Sequence, residues 1–429
     1  MKARKEQFSW KGINLNELRE QMDDPADSAV LSLYNSSSMS NLRSLLEGMA
    51  KNDSAVPAVL PEVMRSFVTS ELAFEFSDED IRMFKQASEV WKKYGPDFCL
   101  ILFFRSLPYT YMAEKPANVL RITKLLISQP ERRIIETAQF IFDVMDGHWW
   151  EPDKQGILIA LKVRLMHAAM RHLILEDKDN PWDHTWGKPI SQEDLVATNQ
   201  TFSLEIIKGL PVLGHELSRS DQEAWFHTWK RIGKIMGVKD ELICSNMDEA
   251  WSLQHAVYNH LFRDESHSGI LLCKALVETM KKFLMSERQI LHMMKKMLKD
   301  DDYPDCFYKM LEPTYGKDHP DMFEMPAGEN ARQEYNSRLN ADHVNHLHEY
   351  HKRLQAHSER TQDESLKKHT SLLGGLLGRL KEKGEDFVLQ ELMSKVGKTV
   401  IAQLSKHYRP GKDAMFRIPV DLKEHWEIT

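Results

Sequence analysis

The sequence predicts an all-α fold on three observations. Strand-like alternation is scarce along its 429 residues. Long stretches repeat apolar residues every three or four positions, the period of a helix with one buried face. The breaks between them collect proline, glycine and acidic or polar side chains, which end helices and begin loops.

In chain order, residues 1–80 read as a helical lead-in broken by YNSSSMSN, a loop-forming run. Residues 81–300 read as a dense helical core. Its helices are announced by ILIALKVRLMHAAMRHLIL, LVATNQTFSLEIIKGL, EAWFHTWKRIGKIMGV and LLCKALVETMKKFLM. Its loops are SQPE (Ser128–Glu131), GHWWEPDKQG (Gly147–Gly156) and EDKDNPWDHTWGKP (Glu176–Pro189). Ser191, with Asp194 three residues on, predicts a capped helix start. Residues 301–429 read as a helical extension beyond the proline-rich loops DDDYPD and YGKDHPDMFEMPAGEN. No repeat of solenoid period is present.

Composition narrows the function classes. With 42% hydrophobic and 28% charged residues, this is the balance of a globular chain. A net charge of −7 argues against a nucleic-acid partner, which needs clustered cations. The four cysteines lack CxxC or CxxCH spacing, so they are expected as buried thiols of a reducing compartment, neither disulfides nor zinc ligands. The N-terminus has no apolar signal region, and the longest apolar run, FCLILFF, falls far short of the ~20 residues of a bilayer span. A cytoplasmic monomer or weak dimer without a transmembrane span is expected, with peripheral membrane contact left open.

One stretch stands out. In VRLMHAAMRHLIL (Val163–Leu175) an apolar helix carries Arg164, His167, Arg171 and His172. At about 100° per residue the first three share a stripe, and His172 points away from it. Between two guanidinium groups an imidazole is expected neutral, with a nitrogen lone pair to offer. Ala168 and Ala169 leave little bulk beside it. Such a stripe suits a flat metal macrocycle with paired carboxylates, that is, non-covalent haem b. From spacing alone it suits better still a solvated face carrying a half-buried histidine.

The run KVRLMHAAMRH (Lys162–His172) resembles the signature of the latex-clearing protein and MpaB-type oxygenase family, whose RxxHxxxRH helix supplies the proximal haem histidine. MDDPADSAV (Met22–Val30), FFRSLPYTYMAEKPANVL (Phe103–Leu120), ERRIIETAQFIFDVM (Glu131–Met145), SQEDLVATNQTFS (Ser191–Ser203) and WKRIGKIMGV (Trp229–Val238) are similar to other segments of that family, in order. The resemblance implies a globin-reminiscent helical core enclosing one b-type haem, with O2 used to oxidise or cleave C=C bonds of an apolar, isoprenoid or lipid substrate.

By that resemblance His167 is the axial ligand and metal-binding residue. Arg164 and Arg171 serve the propionates or pocket, and His172 is a neighbouring support. Arg133 and Thr137 fall in the distal pocket, four apart and so on one helix side. Latex-clearing proteins carry a lysine where this chain has Glu136. Glu136 is a candidate base if it faces the iron and a solvated side chain if it does not. The family's catalytic glutamate has its nearest counterpart in Glu114, at a different spacing. A haem-binding sensor or carrier is the alternative function, and a haem-free interaction protein a third.

Other signals have plainer readings. His343, His346, His348, His351 and His357 lack carboxylate or cysteine partners at ligand spacing and suit an exposed polar helix. SLLGGLLGRLKEKG (Ser371–Gly384) suits a hinge or a membrane-surface helix. Trp149 and Trp150 suit a loop pinned to the core, and Trp225 and Trp229 suit core packing.

Overall fold

The computed structural model describes residues 8–36, 62–123, 140–145, 148–151, 155–262, 265–281, 286–298 and 304–319, residue 137, and scattered positions between 337 and 371. The expected helical class holds. Helices dominate the described residues, and their one sheet is a two-residue hairpin, β1 (Ser9–Trp10) with β2 (Ile13–Asn14).

After the hairpin come α1 (Leu15–Leu18), α2 (Asp24–Ser36) and α3 (Glu62–Leu72). The chain then runs through α4 (Asp78–Ile101), a π-helical turn (Leu102–Ser106), α5 (Leu107–Met112) and α6 (Glu114–Ile122). The central helices are α7 (Gln155–Glu176), α8 (Gln192–Val212), α9 (Arg219–Ile235) and α10 (Met247–Leu261). They are followed by α11 (His267–Met280), α12 (Glu287–Leu298) and α13 (Pro304–Tyr315). The YNSSSMSN run begins inside α2; its remainder, from residue 37, lies outside the described residues.

Local chemistry sets these boundaries. Ser77 caps α4 in a reciprocal box with Asp80, and Ser191 and Asp194 do the same for α8, as the spacing predicts. The apolar run FCLILFF crosses from α4 into the π turn, an insertion that widens the helix and shifts side-chain phase without breaking the rod. Pro96 sits inside α4.

Among the described residues most of the buried apolar side chains form one core, and Val119, Ile174 and Trp182 form a second, smaller cluster. Trp225 and Trp229 are almost wholly buried, and Trp149 and Trp150 are pinned against Phe84, so those aromatic expectations hold. The four cysteines form no disulfide, and Cys99, Cys244 and Cys273 are buried. Polar ties cross the layers. Asp80 of α4 receives Arg231 through both oxygens, at 2.6 and 2.8 Å, and meets His227 at 2.6 Å, fastening α4 to α9. Arg105 of the π turn points at Glu205 of α8, 2.6 Å away. His260 of α10 meets Glu193 at 2.7 Å and Asn16 of α1 at 3.2 Å, tying the N-terminal segment to the core.

Among the described residues no helix is long and apolar enough to cross a membrane. His348 is exposed and His351 half-buried, with the His351 Nε2 3.2 Å from the Thr370 carbonyl. The other three histidines of that cluster, and residues 372–384 of the glycine-rich run, lie outside the described residues.

Candidate active site

Four helical rods present matching stripes to a common space. α7 contributes Val163, Met166, His167 and Met170, and α8 contributes Leu195, Thr198, Asn199 and Phe202. Each set is spaced i, i+3, i+4, i+7, one face of a helix. The rod from α4 through the π turn into α5 adds Cys99, Leu102, Phe103, Ser106, Leu107 and Thr110. Trp229, Ile232 and Met236 close the α9 side, while Pro116, Val119, Leu120 and Thr123 come from α6 and the residue after it. Thr137, Phe140, Ile190 and Asp194 complete much of the remaining wall. The cavity is about 270 Å³, close to the lower end of small-molecule sites.

His167 is half-buried although Leu165, Met166, Ala168 and Ala169 around it are buried. Its accessible surface opens into this chamber. Ala168 and Ala169 turn into the core on other sides of α7, so the space at the imidazole comes from the standing-apart of the helices.

The donor set decides what a metal would find here. Cys99 is fully buried, and burial with the Asp97 charge pushes its thiol up to about 12, so it stays protonated and is a poor ligand. Asp194 is taken by the Arg19 guanidinium and by the Ser191 backbone N–H. His167 is the one imidazole among the described lining residues. An apolar slot with a single imidazole fits a b-type haem.

Both arginines of the stripe are bound to carboxylates outside α7. Arg164 grips Asp23 with two nitrogens, at 2.6 and 2.9 Å, reaches Glu71 at 2.9 Å and donates to the Ile235 carbonyl at 3.2 Å. Arg171 donates to Asp27 at 2.7 Å and to the Ile190 carbonyl at 3.1 Å. Burial pushes the Asp27 carboxyl up, against the opposing pull of Arg171. Both guanidinium groups therefore fasten α7 to the N-terminal helices and to the chamber wall. Arg171 keeps one buried nitrogen, Nη2, without a hydrogen-bond partner, a donor that a propionate would satisfy. His172 is turned roughly 140° around α7 from His167 and is not in the chamber wall.

Of the distal candidates, Thr137 lines the chamber, while Arg133 and Glu136 lie outside the described residues. Glu114 faces away from the chamber. Its carboxylate accepts from the Ser268 backbone N–H at 2.9 Å and from Ser266 and Ser268 hydroxyls at 3.2 and 3.3 Å, clasping the start of α11. The sequence reading missed the α4, α8 and α9 walls. The signal was present as i, i+3, i+4, i+7 stripes in which small polar residues interrupt apolar ones.

A solved latex clearing protein, LCP in the closed state, superposes with a TM-score of 0.61 at 19% identity, covering 92% of this chain and 94% of that one. Residues 116–298 match the family model described as ER-bound oxygenase mpaB/B'/Rubber oxygenase, catalytic domain, the family that the sequence motifs resemble. The chain is also similar to the Rubber oxygenase of Streptomyces sp. (strain K30), 25% identical over 231 residues. That similarity covers 53% of this chain and 56% of the relative, so it spans about half the relative's length.

Proposed function

We propose that this chain is a haem b-dependent oxygenase that uses O2 to oxidise or cleave C=C bonds of an apolar, isoprenoid or lipid substrate. The observation that carries the reading is His167, a lone imidazole opening into an apolar chamber within the family's catalytic region. His167 holds the iron of one non-covalent haem per chain. When bound, the haem supplies the iron centre at which dioxygen is activated.

The chain's own residues do the remaining work. Leu102, Phe103, Phe140, Leu195 and Phe202 exclude water and align an apolar chain. Thr137 brings a hydroxyl to the same space, and Arg133 and Glu136 precede it by four residues and by one in the sequence. Arg164 and Arg171 hold the His167 helix in register by anchoring it to Asp23, Glu71 and Asp27. With Glu114 committed to the start of α11, Glu136 is the remaining candidate for base chemistry.

The test is an absorption spectrum of purified protein, oxidised and reduced, with and without carbon monoxide, followed by oxygen uptake with squalene, a carotenoid and polyisoprene. A Soret band and oxidised product are expected. A colourless, folded protein from haem-replete cells overturns the haem reading. A haem-loaded protein that turns over no alkene would be a carrier or sensor.

A further inference from the structure

We propose that the chamber recognises its apolar ligand by a hydroxyl head, bound between Thr198 and Asn199 of α8. The inference rests on the substrate chamber assigned above and narrows its substrate class to an alcohol-headed apolar chain.

Thr198 is the anomaly that points there. It is exposed although Leu195, Val196, Ala197, Gln200 and Thr201 on the same helix are all buried. It lines the chamber, so its exposure is to that space. A hydroxyl placed midway along an apolar wall has a use only if something polar meets it, because stripping water from it uncompensated costs free energy.

Four other wall hydroxyls are spent on the backbone. Ser106 donates to the Thr201 carbonyl at 2.7 Å, Thr110 to Ser106 at 3.1 Å, Thr123 to Leu120 at 3.0 Å, and Thr201 to Thr198 at 2.8 Å. The Thr198 hydroxyl makes no such bond among the described residues.

Asn199, adjacent on the wall and half-buried, has its amide orientation forced. Its Nδ2 donates 3.0 Å to the Trp229 carbonyl, which can only accept. Oδ1 is thereby left as an acceptor beside a hydroxyl that both donates and accepts. The complement to this pair is a neutral group that gives one hydrogen bond and takes one. A ligand hydroxyl donates to Asn199 Oδ1 and accepts from the Thr198 hydroxyl.

A carboxylate or phosphate head does not complement the pair. It would bring a negative charge against Asn199 Oδ1 and near Asp194, and the described lining residues include no lysine or arginine. A bare hydrocarbon leaves both polar atoms unmet.

The experiment is calorimetric titration of the purified full chain with geraniol, geranic acid and the hydrocarbon of the same skeleton. Geraniol is expected to bind about tenfold more tightly than the hydrocarbon, as two neutral hydrogen bonds allow, and more tightly than the acid at neutral pH. Thr198→Val should abolish that preference, weakening alcohol binding and, by removing an unmet hydroxyl, favouring the hydrocarbon, and Thr198→Ser should restore it. Asn199→Leu serves as the second variant, with circular dichroism confirming its fold. Equal affinity for alcohol and hydrocarbon in the unaltered protein overturns the proposal, as does a preference that survives Thr198→Val. Because heat of binding is read without turnover, an alcohol preference with no oxygen uptake would sink the oxygenase reading and leave this one standing.

Discussion

His167 keeps part of its surface accessible in a helix segment whose neighbours are closed off. That exposure is what separates a ligand from a packed core histidine, and it belongs to the surroundings, since nothing in RxxHxxxR specifies it. On the proposal that His167 holds the haem iron, His167→Ala is expected to abolish the Soret band while far-ultraviolet circular dichroism stays unchanged. His172→Ala should keep the band. Arg164 makes the opposite case, a charge whose work is structural. Its guanidinium is paired to Asp23 inside the protein, where removing one partner leaves a carboxylate without compensation. Arg164→Met is expected to cost about 3 kcal/mol, read as a lower urea midpoint in the haem-free protein as well as in the loaded one.

At the scale of elements, ends matter more than middles. α9 terminates at Gly237, whose φ of +94° is ordinary for glycine and strained for other residues. A Cβ there would also strike the Asp23 carboxylate and lie 2.8 Å from Arg164 Nε. Gly237→Ala is therefore expected to destabilise by about 2 kcal/mol or more through backbone strain and a displaced ion pair, measurable as a lower melting temperature. Ser191→Ala removes one half of the α8 capping box and should cost about 1 kcal/mol, seen as the smaller shift of the two. Ile190, just before that cap, holds a φ of +51° as a β-branched residue. Its carbonyl takes the Arg171 bond and its side chain lines the chamber, so strain sits where the wall and the α7 anchor meet.

At the scale of the molecule, the α4–α9 clasp and the chamber govern stability. Burial alone would raise the Asp80 carboxyl, but hydrogen bonds from Arg231, His227 and Ser77 outweigh it and hold the group well below its usual 3.8. A depressed carboxyl contributes stability that is present in full above the unfolded value and is lost as pH falls toward the folded one. The melting-temperature gap between the native chain and Asp80→Asn should thus be widest near neutrality and close progressively below pH 3.8. Haem binding, if confined to the folded state, adds stability by mass action. Loaded protein should melt above haem-free protein, and His167→Ala should erase the difference.

The α-helical class, the cap of α8, the buried thiols and tryptophans, and the histidine of interest were legible in the chain itself. Each depends on neighbours three or four residues away, where periodicity and capping operate. The fate of the arginines was not legible. Arg164 and Asp23 are 141 residues apart, and charge spacing on one helix cannot report a carboxylate arriving from another. The same holds for Glu114, which looked available as a base until α11 folded onto it. The chamber, too, is a tertiary fact. Val163, Met166 and Met170 would pack solidly against α8 if the two helices touched; they line a cavity because α7 and α8 share almost no backbone contact. Local sequence determines which face of a helix is apolar. Only the packing of all the helices decides whether that face meets another side chain or an open space.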